Sequence, residues 1–125
     1  MDCLFCKIIS GEIPCYKIYE DDLVLAFLDI HPDSNGHTLI IPKKHYLDID
    51  DIKLETLTHM FKVAKELKKL LYEKLHCEGL TFIQNNGSVQ EVKHFHLHLK
   101  PHYKNSKIQD VKEIYEILTK EKDDD

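Results

Sequence analysis

Three histidines alternate with apolar residues over His94-Phe95-His96-Leu97-His98-Leu99. Imidazole titrates near neutrality, so it can attack an electrophile, pass a proton, hold an anion or ligate a metal. Strict alternation predicts a half-buried β-strand. Side chains at i and i+2 then share a face, roughly 6.5–7 Å apart. Phe95, Leu97 and Leu99 would face a core. His94, His96 and His98 would form a row on the other side, close enough to act on one phosphate-sized or metal-sized group. The bland alternative is solvated histidines on an open sheet face, where a strand made only for folding more readily carries Thr or Tyr.

A second candidate is the pair Cys3-Leu4-Phe5-Cys6. It has three readings: half of a zinc site, a redox pair, or two incidental thiols. A redox pair normally follows a strand and opens a helix, and no strand pattern precedes this one. Structural zinc takes four ligands. Cys15 and Cys77 stand alone, so histidines would have to complete such a site. His37 opens an apolar run and is by itself an ordinary loop histidine.

The elements that must position these residues follow from periodicity. Leu4, Phe5, Ile8 and Ile9 predict a short helix ending at Gly11. Tyr16–Tyr19 and Leu23–Leu28 read as a hairpin across Glu20-Asp21-Asp22. A loop rich in Pro, Asn and Gly leads to a third strand, Thr38–Ile41, stopped by Pro42. Asp50 or Asp51 can cap a long helix from about Lys53 to His76. Its stripe is Leu57, Met60, Phe61, Ala64, Leu67, Leu71 and Leu75, with Gly79 as terminator. Leu80–Ile83 is a fourth strand, and the histidine strand is the fifth, ended by Pro101. A capping box at Ser106–Gln109 opens a C-terminal helix over about 107–121, and an acidic tail occupies 121–125.

The expected class is α+β: a five-stranded antiparallel sheet, one long helix packed on it, and a short helix at each end. Its 125 residues fit one domain, with a core of about 3–103. The net charge of −5 argues against duplex nucleic acid as a partner. No apolar run approaches the ~20 residues of a membrane span. The first residues lack the pattern of a secretory leader. The expected compartment is cytoplasmic, where thiols serve as ligands or stay free more often than they pair.

The histidine stretch resembles the motif of the histidine triad (HIT) family, His-φ-His-φ-His-φ-φ with φ apolar. Gln90-Glu91-Val92-Lys93 resembles its lead-in, and Gly36–His45 its second signature. Asp29-Ile30 and Asn85-Asn86-Gly87 also stand in family order. The resemblance runs from about Cys3 to Tyr103 and is nearest to short Hint-like and bacterial members. It implies cleavage of purine nucleotides at the α-phosphate, with AMP released from phosphoramidates or acyl-adenylates. Dinucleoside polyphosphates are the substrates of other branches.

By resemblance, His96 is the nucleophile that forms a covalent nucleotidyl intermediate. His98 contacts the phosphate, and His37 supports the triad. Asp29 and Asn85 approach the ribose and phosphate. Phe5, Ile8, Ile13, Phe27 and Ile30 surround the base, and Gln90 belongs to the same nucleotide-binding set. Relatives with Cys-x-x-Cys hold structural zinc through the positions Cys3, Cys6, His45 and His94, and need no catalytic cofactor. They form homodimers through the long helix and the strand after it.

Three features depart from the pattern. The last apolar position is Lys100, the position after Pro101 is His102 where Arg is common, and the loop between Gly87 and Gln90 is two residues short. Two other readings stand beside the hydrolase: a catalytic metal held by His94, His96 and His98, and a nucleotide-binding adaptor with little catalysis.

Overall fold

The computed structural model describes residues 3–120, so the acidic tail lies outside the described residues. Five antiparallel strands form one sheet: β1 Lys17–Glu20, β2 Val24–Leu28, β3 Thr38–Pro42, β4 Gly79–Gln84 and β5 Leu97–His102, in the order β1-β2-β3-β5-β4. Three α-helices accompany it: α1 Leu4–Ile9, α2 Leu54–Leu75 and α3 Val111–Thr119. A single 3₁₀ turn, Gly87–Val89, links β4 to the segment before β5. The expected α+β architecture is therefore observed.

β2 and β3 are buried at every position, which is why both read as unbroken apolar runs and not as alternations. Each face of the sheet has its own core. Val24, Ala26, Leu28, Ile40, Leu97 and Leu99 pack with Met60, Val63, Ala64, Leu67 and Leu71 of α2. On the other face, Leu25, Phe27, Leu39 and Ile41 pack with Phe5 of α1. The two cores make the sheet a fixed partition, with α2 behind it and the histidines in front.

Several boundaries differ from expectation for local reasons. β5 begins at Leu97, not at His94. The Phe95 amide donates to the Tyr46 carbonyl at 2.7 Å, and the His94 amide to the Val92 carbonyl at 2.9 Å, so both residues lie outside the ladder. Pro101 does not end β5: it pairs with Leu80, while the β3 ladder stops at Leu99. A proline is tolerated where pairing persists on one side only.

Neither Asp50 nor Asp51 caps α2. The Asp51 carboxylate accepts the amides of Leu47 and Asp48 at 3.0 Å each, folding the preceding turn, and Lys53 is the N-cap. Nor does Gly79 end that helix. His76 does, in the left-handed region at φ 56, while Gly79 opens β4. Phe61, expected in the stripe, is 40% exposed. α3 starts at Val111 because the Asp110 side chain accepts the Lys112 amide, so the capping box at Ser106 is not used. No helix of the described residues is long and apolar enough to cross a membrane.

Candidate functional site

A cleft of about 530 Å³ opens in front of β5. Its lining combines apolar residues, among them Leu4, Phe5, Ile8, Ile13 and Phe27, with the polar and charged Asp29, His31, Asp33, His37, His96, His98 and Lys100; Asn85, Val89, Glu91 and Val92 also line it. That volume and that mixture suit a small organic ligand with one apolar and one polar half.

The three histidines occupy different surroundings, and backbone groups decide the role of each. His94 is fully buried. Its Nε2–H donates to the Pro42 carbonyl at 2.8 Å. Its Nδ1 is therefore a lone pair, and it lies 3.3 Å from Cys3 Sγ, 3.6 Å from Cys6 Sγ and 3.1 Å from His45 Nδ1. Burial holds its pKa down at about 4, so this ring is neutral.

His96 has the opposite tautomer. Its Nδ1–H donates to the His94 carbonyl at 2.8 Å, which leaves Nε2 as a lone pair. Phe5 stands edge-on to the ring at 5.0 Å. Burial again lowers the pKa, with the His94 carbonyl, Asp29 and Glu91 opposing.

His98 is set by a relay. The Asp33 amide donates to His37 Nδ1 at 3.1 Å. His37 must then carry its proton on Nε2, which lies 2.9 Å from His98 Nδ1. His98 Nδ1 accepts, so its proton sits on Nε2. Burial and the neighbouring His96 and His37 bring the His98 pKa to about 4. Burial also lowers the pKa of His37. The cleft thus holds two neutral imidazoles 4.9 Å apart, centroid to centroid, one offering a lone pair and one a proton.

His37 is held in place by its predecessor. Gly36 has φ +88, and a Cβ there would lie 2.5 Å from Leu75 Cδ1. Only glycine fits both the backbone and the space. Asp29 uses Oδ1 to accept the His31 amide at 2.8 Å, and its Oδ2 lies 3.7 Å from His37 Nε2.

Nearly every expected site residue reaches this cleft or the cysteine cluster. Gln90 is the exception. It is buried and donates Nε2–H to the Leu47 carbonyl at 2.6 Å, holding the turn before α2 instead of a ligand. The alternative reading, a catalytic metal held jointly by His94, His96 and His98, finds no such grouping among the described residues. Among the described residues, the groups able to hold an ion are Cys3, Cys6, His45 and His94, and separately Asp29, His37 and His98. Sequence reasoning missed Asp33, whose contribution is a backbone amide invisible in side-chain patterns, and the Pro42 carbonyl. It gave Glu91 no role, yet Glu91 lines the cleft.

A family model described as the HIT domain matches residues 10–105. The chain belongs to the HIT family. A HIT-like protein of Methanocaldococcus jannaschii is 48% identical over 103 residues, which is 81% of this chain and 79% of that one. An adenosine 5′-monophosphoramidase of Saccharomyces cerevisiae is 48% identical over 101 residues, 79% of this chain and 61% of that one. A zinc-bound histidine triad protein of Mycobacterium smegmatis superposes with a TM-score of 0.86 at 38% identity, covering 94% of this chain and 91% of that one. The five-stranded antiparallel sheet expected from the resemblance is therefore that of the HIT fold.

Proposed function

We propose that this HIT protein hydrolyses purine nucleotides at the α-phosphate, releasing AMP from adenosine phosphoramidates or acyl-adenylates. The observation that carries the reading is the pair of opposite tautomers at His96 and His98. His96 Nε2 has a free lone pair in the cleft, and His98 Nε2–H offers a proton beside it. A neutral imidazole is the reactive form. Its attack on phosphorus forms the N–P bond as the bond to the leaving group breaks, and His98 supplies a proton to a leaving amine. Water then displaces AMP from His96, which splits one hard displacement into two easier ones.

The rest of the cleft fits the remainder of a nucleotide. Phe5, Ile8, Ile13, Phe27 and Ile30 offer apolar surface to a base. Asp29, whose Oδ1 accepts the His31 amide, keeps Oδ2 as an acceptor for ribose hydroxyls, and Asn85 also lines the cleft. The yeast relative's name supports an adenosine phosphoramidate as substrate.

Cys3, Cys6, His45 and His94 fit a structural zinc ion. A tetrahedron with Zn–S about 2.3 Å and Zn–N about 2.0 Å has edges of roughly 3.3–3.8 Å. The four ligand atoms have separations of 3.1, 3.3, 3.3 and 3.6 Å along four of those edges. The Pro42 carbonyl orients His94 as an outer hydrogen bond orients a ligating imidazole. Cys3 also caps α1, its sulfur accepting the Cys6 amide at 3.3 Å. Four protein ligands leave no open position, so the metal supplies rigidity and not chemistry.

The same reading includes a homodimer through α2 and β4. β4 ends the sheet, and the exposed rings of Phe61 and Phe82 meet at 5.8 Å on that side. An apolar sheet edge of this kind favours pairing with a second chain.

The deciding experiment is a substrate panel of adenosine phosphoramidate, lysyl-adenylate and diadenosine polyphosphates, with intact-mass detection of a nucleotidyl adduct. The reading expects AMP release and an adduct on His96. AMP binding without turnover of any member would establish an adaptor instead.

A further inference from the structure

The row of side chains in front of β5 does not end at His98. Lys100 is the next residue on that face, and it lines the cleft. Contacts order the row: Phe5 lies against His96, His37 against His98, and Asp33 against Lys100. The triad motif has an apolar residue at this position, so the strand needs no lysine there to fold.

The charge balance of the cleft singles this residue out. All 17 of the chain's Lys+Arg residues are lysine. Among the residues lining the cleft, Lys100 alone is a permanent cation, in a lining that also includes the carboxylates of Asp29, Asp33 and Glu91. Its Nζ lies 2.6 Å from Asp33 Oδ2, and the Asp33 side chain is 64% exposed. An ion pair with so exposed a carboxylate contributes little net stability. A phosphate or sulfate oxygen offers the same ammonium an equally good charge-assisted bond. Lys100 can therefore exchange one anion for another at small cost.

We propose that Lys100 is a specificity-determining residue that favours nucleotidyl donors whose leaving group is a phosphate or sulfate oxyanion. The inference rests on the assignment of His96 as nucleophile. As the N–P bond forms, the electron pair of the breaking P–O bond goes to the leaving oxygen, which gains negative charge. An oxyanion leaves without a proton and needs a countercharge. An amine needs the proton of His98 instead. The two kinds of leaving group draw on successive residues of one row.

The test compares kcat/KM of the full chain on adenosine 5′-phosphosulfate and diadenosine tetraphosphate with that on adenosine phosphoramidate. Lys100→Leu is expected to lower the ratio of anionic to amine substrate about tenfold, the scale of one charge-assisted bond. Lys100→Arg is expected to restore most of the loss. Asp33→Asn frees the ammonium and is expected to leave the ratio equal or higher. A ratio unmoved by Lys100→Leu overturns the proposal. So does an equal fall in Asp33→Asn, which would make Lys100 only a support for Asp33. Turnover of the phosphoramidate with neither oxyanion substrate sinks the proposal and leaves the hydrolase reading standing. Turnover of none of the three sinks both.

Discussion

His94 and His96 are two residues apart on one chain, share a burial environment, and belong to opposite regions of the site. At one pole His94 turns Nδ1 toward Cys3, Cys6 and His45. At the other, His96 turns Nε2 into the cleft beside His98 and His37. The difference is made by carbonyl groups. The Pro42 carbonyl accepts from His94 Nε2–H, and the His94 carbonyl accepts from His96 Nδ1–H. Identical side chains acquire different chemistry because the backbone chooses which nitrogen keeps its lone pair. The comparison predicts that damage at the cleft pole removes activity and spares stability, and that damage at the cysteine pole does the reverse.

The sharpest separation is expected from His96→Ala. Loss of a nucleophile should lower kcat on the order of 10⁴-fold or more, while Tm stays close to that of the parent. Retained turnover in that variant would break the cleft half of the comparison. At the other pole, Cys6→Ala should remove zinc from the purified protein and lower stability by about 3–4 kcal/mol, the scale of losing a tightly bound ligand. The folded fraction should keep much of its kcat. Unchanged zinc content and unchanged Tm would show that this pole is not a metal site.

His37 is a positioning residue, acting through His98. His37→Ala should lower kcat roughly 100-fold, with a smaller change in KM, because His98 loses the donor that fixes its tautomer. A variant altered in KM alone would place His37 against the ligand instead.

The smallest effect concerns pH. The His98 pKa is about 4 in the folded chain, against an unfolded value near 6.5. The unfolded chain therefore binds more protons between those values, and stability falls as pH drops from about 6.5 toward about 4. Above that window the contribution is fully present. His94, also held at about 4, shares this window, so His98→Asn should make this limb of a Tm-against-pH curve shallower without removing it, and an unaltered limb would assign it to other groups.

Much of this was legible in the order of residues. Alternation at Leu97 and Leu99 located a strand and its buried face, because side-chain direction along a strand has a fixed period, although the strand starts after Phe95. The α2 stripe located its core face, since Met60, Ala64, Leu67 and Leu71 recur at helical spacing. The motifs by themselves single out His96, His98, His37 and the Cys-x-x-Cys pair. Pattern failed where a competing local bond won: at Asp51, which folds a turn and leaves the helix uncapped by a side chain, and at Gln90, whose amide reaches a backbone carbonyl.

The sequence by itself determined the element types, the family and the residues able to do chemistry, since these depend on side-chain identity and local period. Only the tertiary structure decided which nitrogen of each imidazole is free and which partner each faces. Those choices are made by the Pro42 carbonyl, the His94 carbonyl and the Asp33 amide, all of them backbone groups. Every residue has the same amide and carbonyl, so their roles come from where the folded chain places them.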